Sequence, residues 1–302
     1  MIRMSIRVTL VVALFVMSLP GNADDIVVRD DLGNMLRLMQ PAQRIISLSP
    51  HATELLFAAG AGDKIVGVTE YSDYPPAAKS IQQIGNFNSI DLERVSLLKP
   101  DLIIAWQSGN PAAAIARLRE LGYPLFLSEP RSLLDIPKNL QRLAKLAGTE
   151  AQAQRAIDVY NNKLQQLKAR YAEKERLSVF YEIWNQPMMT VNGQHIINEV
   201  IEFCGGRNIF AQLKVLAPTV TVEPVLAANP QVIIASSSKG EAPAWLNDWR
   251  QWKTLDAVRY NNLFHVDADT INRHTPRILR GIEQVCDALN SARQHMQVSQ
   301  QK

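Results

Sequence analysis

The sequence predicts an α/β protein built as two similar Rossmann-like lobes joined by one long α-helix, with a ligand cleft between the lobes. Three observations predict this. Short apolar runs alternate with helix-period segments through most of the 302 residues, one amphipathic segment outruns its neighbours, and the motif order of the first half returns in the second. Composition agrees: 47% hydrophobic, 20% charged and two cysteines exclude a disordered polymer, a collagen-like repeat, a coiled-coil rod and a disulfide-dense miniprotein.

The first segment stands apart from the fold. Arg3 and Arg7 precede an apolar run over 8–19, and Gly21, Asn22 and Ala23 supply a cleavage site before Asp24. This pattern predicts a secretory signal over residues 1–23. The apolar run is about a dozen residues, short of the roughly 20 that cross a bilayer as a helix. Cleavage reduces the 32 Lys+Arg to 30 against 29 Asp+Glu, leaving an almost neutral protein. A nucleic-acid partner calls for a basic excess or stripe, because phosphate neutralisation supplies most of the affinity, so nucleic acid is excluded.

The mature chain divides into an N-terminal lobe (24–148), a linking helix (149–175), a C-terminal lobe (176–292) and a tail (293–302). Residues 26–38 alternate around Asp31, Leu32, Gly33 and Asn34, as a β-hairpin does. Residues 44–50 make an apolar strand stopped by Pro50, and 52–60 a helix ended by Gly60. The alternation then continues through KIVGVTEY, ERVSLLKPDLIIAW, AAAIARLRELG and PLFLSEP, whose strands are apolar throughout, as in a parallel sheet covered on both faces. In the linking segment Ile157, Tyr160, Leu164, Leu167 and Tyr171 fall on one helical face, and Thr149 with Gln152 forms a capping box behind Gly148. At 1.5 Å per residue this helix is about 40 Å long, enough to pass from one lobe to the other.

Two stretches repeat. Glu54 and Gly60 bracket an apolar helix, as Glu199 and Gly205 do, and LERVSLLKPDLIIA is matched by VEPVLAANPQVIIA, with Glu93 and Glu223 each seven residues before a proline. Two copies imply two lobes, and lobes of this kind facing each other place one cleft at the carboxyl ends of their strands.

Tests for catalysis fail. Gly60 and Gly62 follow a helix instead of opening one, and no phosphate loop, nucleophile elbow or zinc-protease pair occurs. The five histidines lack metal-ligand spacing. Ser49 and His51 are too close in sequence to face each other as nucleophile and base. The protein is therefore expected not to be an enzyme, and no cofactor or protein-bound metal is implied. Cys204 and Cys286, the only cysteines, form an even pair in an exported chain, which predicts a disulfide; the alternative is two separate buried thiols. Trp245, Trp249 and Trp252 share a helical spacing and read as a packing stripe. Trp106 and Trp184 each close an apolar run at its carboxyl end, as ligand platforms or as rim packing.

These residues resemble a known family. RIISLSPHATELLFAAGAGDKIVGVTEYSDYPPAA, DLERVSLLKPDLIIAW, the single spanning helix, CGGRNIF and the closing NRHTPR look like periplasmic solute-binding proteins of the metal-chelate class. Within that class the chain is most similar to those that feed cobalamin (vitamin B12) to an ABC importer, over residues 43–290. The resemblance implies a monomeric periplasmic protein that captures a corrinoid and hands it to a two-fold permease dimer in the inner membrane. It assigns Tyr71 to the corrin face, Phe87 and Trp106 to the aromatic wall, and Asp269 and Arg273 to the amide side groups. The bland alternatives are rim packing for Tyr71 and Phe87 and a local surface ion pair for Asp269 and Arg273.

The chain also departs from the family. Met189 stands where Phe is expected and Ala217 where a Trp is, so Trp184 is expected to compensate. His51 replaces a small side chain, either as a cleft hydrogen-bonding group or as an axial ligand to the metal of the chelate. Glu93 and Glu223 match acids that meet arginines on the two permease subunits; otherwise they stabilise helix N-termini. The alternatives to a corrinoid carrier are a haem or ferric-siderophore binder of the same fold and, from another class, a periplasmic hydrolase. The linking helix implies small lobe movement on binding.

Overall fold

The computed structural model describes residues 25–86, 88–171, 174–238 and 241–301. The expected signal segment and Phe87 lie outside the described residues. The N-terminal lobe opens with the hairpin of β1 (Ile26–Arg29) and β2 (Met35–Leu38). It continues through β3 (Ile45–Ser47), α1 (Pro50–Ala58), β4 (Ile65–Val68), α2 (Leu92–Leu97), β5 (Leu102–Trp106), α3 (Ala112–Glu120), β6 (Leu125–Ser128) and α4 (Asp135–Ala147). The linker is α5 (Glu150–Tyr171). The C-terminal lobe comprises β7 (Leu177–Glu182), β8 (Trp184–Asn185), β9 (Met188–Met189), α6 (Ile196–Phe203), β10 (Gly206–Asn208), α7 (Val222–Ala228), β11 (Val232–Ser237), α8 (Asp256–Arg259), β12 (Leu263–Asp267), α9 (Ala268–Ile271) and α10 (Ile278–Gln300).

Each lobe holds a four-stranded parallel sheet, in the orders β4-β3-β5-β6 and β10-β7-β11-β12. By position in the lobe both read second, first, third, fourth, so the sequence repeat is a repeat of topology. The apolar strand runs have a simple cause. Along β5, Leu102 and Ile104 enter one hydrophobic cluster while Ile103 enters another, and β7 and β11 do the same with Val179, Phe180, Ile233 and Ile234. Both faces of each sheet are therefore covered, as side-chain alternation with a period of two requires.

The inner cluster is common to both lobes. It runs from Leu55 and Leu140 through Tyr160 and Leu167 of α5 to Val200 and Ile282. Tyr160 Oη donates to the carbonyl of Leu133 at 2.8 Å in the N-terminal lobe, and Tyr171 Oη donates to Asp287 Oδ1 at 2.9 Å in the other. The predicted face of this helix is thus what ties the lobes together. Its start differs from expectation. Gly148 ends α4 at φ +68°, a conformation that favours glycine, but Thr149 Oγ1 donates to the carbonyl of Ala59 at 2.7 Å instead of capping α5.

Cys204 and Cys286 are bonded, which excludes the two-thiol alternative and staples the end of α6 to α10. The residues set apart as a tail are a correction: α10 continues unbroken to Gln300. Trp249 is buried in a second hydrophobic cluster with Trp245 packed against it, as the packing stripe predicts, whereas Trp252 is exposed. The N-terminal hairpin is anchored by Asp31, which accepts from the amide of Glu129 at 2.6 Å and pairs with Arg142.

Candidate functional site

In each sheet the chain switches sides between its first and third strands, β3 and β5 in one lobe and β7 and β11 in the other. Crevices beyond the carboxyl ends at such switch points are where open α/β sheets take ligands. Beyond β3, Ser49 caps α1, its Oγ accepting from the amide of Ala52 at 3.3 Å. That cap sets His51 in the first turn, and Ser49 does not pair with it. Trp106 ends β5 as predicted. Its amide donates to Asn110 Oδ1 at 2.7 Å, and its indole lies over Gly109, where an added Cβ would come within 1.9 Å of a ring carbon. Glycine at 109 is what lets the tryptophan fold over its own loop.

His51 meets Trp106 edge to face at 5.2 Å between ring centroids and lies 6.1 Å from His274, which in turn lies 5.3 Å from His195. The imidazoles thus form a chain from the N-terminal lobe into the C-terminal one. His51 is 4% exposed, and burial, then His274 and Arg273, lower its pKa to about 3. Burial lowers His274 to about 4, against the pull of the Pro130 carbonyl. Burial, His274 and Arg131 together hold His195 well below its ordinary value. All three are neutral at physiological pH. Among the described residues His51 Nε2, His274 Nδ1 and Trp106 Nε1 are buried without a hydrogen-bond partner, which leaves polar capacity where these rings meet.

The segment after β12 meets the N-terminal lobe from the other lobe. Asp267 Oδ1 caps α9 by accepting from the amide of Asp269 at 3.0 Å. Arg273 then reaches Asp269 Oδ1 at 2.9 Å, Asp73 Oδ1 at 2.7 Å and Glu54 Oε1 at 3.0 Å. The Arg273 side chain is 12% exposed. Burial opposes its charge, but the bonds to Asp73 and Glu54 outweigh it and raise its pKa. Asp269 and Arg273 do form a local pair, four residues apart and with Asp269 partly exposed, but Arg273 is largely buried and also spans to two carboxylates of the other lobe. Arg277 joins through Glu54 and lies 3.9 Å over the Tyr74 ring. A cavity of about 320 Å³ abuts this junction, lined by Glu54, Phe57, Tyr74 and Arg277 among others.

The remaining residues expected to contact a ligand lie on separate elements. Tyr71 is 61% exposed and holds the left-handed region at φ +65°, uncommon for a side chain of that size. Trp184 is 60% exposed. It does not close β7, which stops at Glu182; it opens the β8–β9 hairpin opposite Met189, with Nε1 donating to the carbonyl of Gln186 at 2.9 Å. Met189 is half-buried and bridges to Thr219, two residues beyond Ala217. Glu182, buried at the end of β7, accepts from Trp249 Nε1 at 2.8 Å, and burial raises its pKa to about 7. Glu93 and Glu223 are exposed in the first turns of α2 and α7, the helices that lead into the third strand of each lobe. Donation from the Thr221 hydroxyl and a backbone amide lowers the pKa of Glu223.

Sequence reasoning missed Glu54, Asp73, His274 and Arg277 as members of the junction. One signal was available: a glutamate beside Leu55 and Leu56 in an apolar helix has to find cationic partners once buried.

The periplasmic binding protein family model matches residues 45–270. The chain is 42% identical over 253 residues to the vitamin B12-binding protein of Vibrio cholerae serotype O1, covering 83% of this chain and 91% of that one. The crystal structure of the periplasmic vitamin B12 binding protein of Vibrio cholerae superposes with a TM-score of 0.78 at 41% identity, covering 84% of this chain and 98% of that one. The periplasmic heme-binding protein of Roseiflexus sp. RS-1 superposes with a TM-score of 0.71 at 22% identity, over 83% and 99%, a likeness of fold alone. Among the described residues no helix is long and apolar enough to cross a membrane.

Proposed function

We propose that this protein, which belongs to the periplasmic binding protein family, captures cobalamin (vitamin B12) or a related corrinoid in the cleft between its lobes and delivers it to an ABC importer of the inner membrane. The observation that carries the reading is the 42% identity over 253 residues to a vitamin B12-binding protein. The chemistry supports it. A corrin is a large rigid ring with apolar faces and an amide fringe. Tyr71, Trp106, Trp184 and Met189 offer aromatic and thioether surface for the faces. Asp269 and Arg273 set an acceptor beside a donor, the complement of a primary amide. His51, with its ring buried against Trp106, serves as a hydrogen-bonding group at the cleft base and not as a metal ligand. Binding needs no covalent step, so the protein is a carrier and not an enzyme.

Glu93 and Glu223 occupy equivalent exposed positions on the two lobes, as a two-fold permease would require of a monomer docking across its axis. Replacing both by Ala leaves corrinoid binding unchanged and abolishes uptake. Uptake at the normal rate excludes the docking role. Trp106→Ala and Arg273→Ala each weaken cyanocobalamin binding by about tenfold or more, the scale of one charged hydrogen bond or one aromatic face; unchanged binding in both moves the ligand elsewhere.

A further inference from the structure

The repeated glutamates have a role that the capture of a ligand does not by itself explain. Glu54 belongs to α1 of the N-terminal lobe, yet among the described residues every polar partner of its carboxylate comes from the segment between β12 and α10 in the other lobe. Oε1 accepts from Arg273 Nη1 at 3.0 Å and from Arg277 Nη2, and Oε2 accepts from Thr275 Oγ1 at 3.0 Å and Arg277 Nε at 2.9 Å. Its repeat partner Glu199, on α6 of the C-terminal lobe, reaches the opposite way. Glu199 Oε2 accepts at 2.7 Å from the amide of Leu133, in the loop after β6. Each acid therefore grips the loop that follows the fourth strand of the opposing lobe, and the pseudo-symmetry of the sequence is the symmetry of a clasp.

The two grips differ in what they hold. Leu133 offers a backbone amide, and its carbonyl is already taken by Tyr160. Glu54 holds a guanidinium. Glu54 and Asp73 take the two Nη1 hydrogens of Arg273, and Asp269 lies 2.9 Å from Nη2 as an ion pair; its Nε and Nη2 N–H groups donate no hydrogen bond among the described residues. Glu54 itself, 3% exposed with both oxygens doubly bonded, has no lone pair left for a ligand.

We propose that Glu54 is a positioning residue for ligand capture: from the opposite lobe it fixes Arg273 so that its Nε and Nη2 N–H groups, beside the carboxylate of Asp269, face a carboxamide of the ligand. The inference rests on the reading that Arg273 contacts the ligand. Orientation by a saturated carboxylate removes the rotamer freedom that a long cationic side chain otherwise loses on binding.

The test is a double-mutant cycle on cyanocobalamin binding by calorimetry, with the oxidised mature chain and its variants Glu54→Gln, Arg273→Ala and both together. Acting through Arg273, Glu54→Gln weakens binding about tenfold in the parent and less than twofold in the Arg273→Ala background. Glu199→Ala, which loosens the other half of the clasp without touching Arg273, changes affinity less than twofold. A Glu54→Gln loss of equal size in both backgrounds, or an equal loss in Glu199→Ala, makes Glu54 a general lobe fastener and overturns the proposal. Arg273→Ala binding as tightly as the parent sinks the contact reading itself, a separate failure. If Glu54→Gln does not fold, Asp73→Asn replaces it in the same cycle, since Asp73 is half-exposed and holds the same Nη1; its loss must likewise vanish without Arg273.

Discussion

Acidification is expected to strike this protein at its lobe junction. His51 and His274 stay neutral in the fold down to about 3 and about 4 because burial disfavours their charged forms. In the unfolded chain each takes a proton near pH 6.5. Below that value the unfolded state binds more protons, so stability is complete above about 6.5 and falls as pH falls. Between pH 7 and pH 5 each histidine contributes a loss of about 2 kcal/mol, or about 4 kcal/mol for the pair. Glu182 acts in the opposite sense. Held near 7 by burial, it protonates in the fold before it does in the unfolded chain, and over the same interval restores about 2 kcal/mol. Of the groups with only a direction, His195 adds to the loss and Glu199, raised by burial, offsets it. Urea unfolding of the oxidised protein at pH 7 and pH 5 measures the balance, and His51→Gln/His274→Gln isolates the cause. The variant should lose about 4 kcal/mol less than the parent over this interval, whatever its own stability at pH 7. Parent and variant with the same pH dependence, within about 1 kcal/mol, would refute the idea that buried neutral imidazoles carry it.

Further outcomes follow from the fold and the cleft. Cys204→Ala/Cys286→Ala opens a loop of 82 positions and should cost about 4 kcal/mol on the chain-entropy estimate; an unfolding midpoint equal to the parent's contradicts it. Trp249→Phe removes the only side-chain donor found for Glu182 among the described residues, so it should destabilise by about 1–3 kcal/mol at neutral pH and less at pH 5, where the acid is protonated. A loss that grows on acidification is inconsistent with that assignment. Because α5 and the shared inner cluster tie the lobes, small-angle scattering should show the radius of gyration changing by less than about 1 Å on ligand binding. A change of several ångströms would mean that the lobes hinge.

The architecture was legible because its signals are local. Alternating apolar runs, the face of α5 and the returning motif order each span a few residues to a few dozen, and packing turned each into the expected element. The clasp was not legible, because Glu54 and Arg273 are 219 positions apart and ion-pair partners leave no trace in spacing. NRHTPR was noticed for its likeness to a family, but which of its side chains face a ligand and which face Glu54 is decided only when α1 and the loop after β12 meet. The imidazole chain is similar: His51, His195 and His274 look scattered in sequence and converge across the junction. Thr149 shows the reverse, a good local cap signal overridden by a tertiary acceptor, the carbonyl of Ala59. Trp184 was misplaced by two residues because an apolar run does not record where pairing stops and a hairpin begins.

The measurement that bears most directly on the account is titration calorimetry of the mature chain, residues 24–302, with cyanocobalamin, cobinamide, haemin and a ferric siderophore. Tight one-to-one binding of cyanocobalamin is expected, and none of haemin or the siderophore. Haemin or siderophore bound tightly with no heat from cyanocobalamin would leave the two-lobed fold standing and contradict the assignment of its ligand.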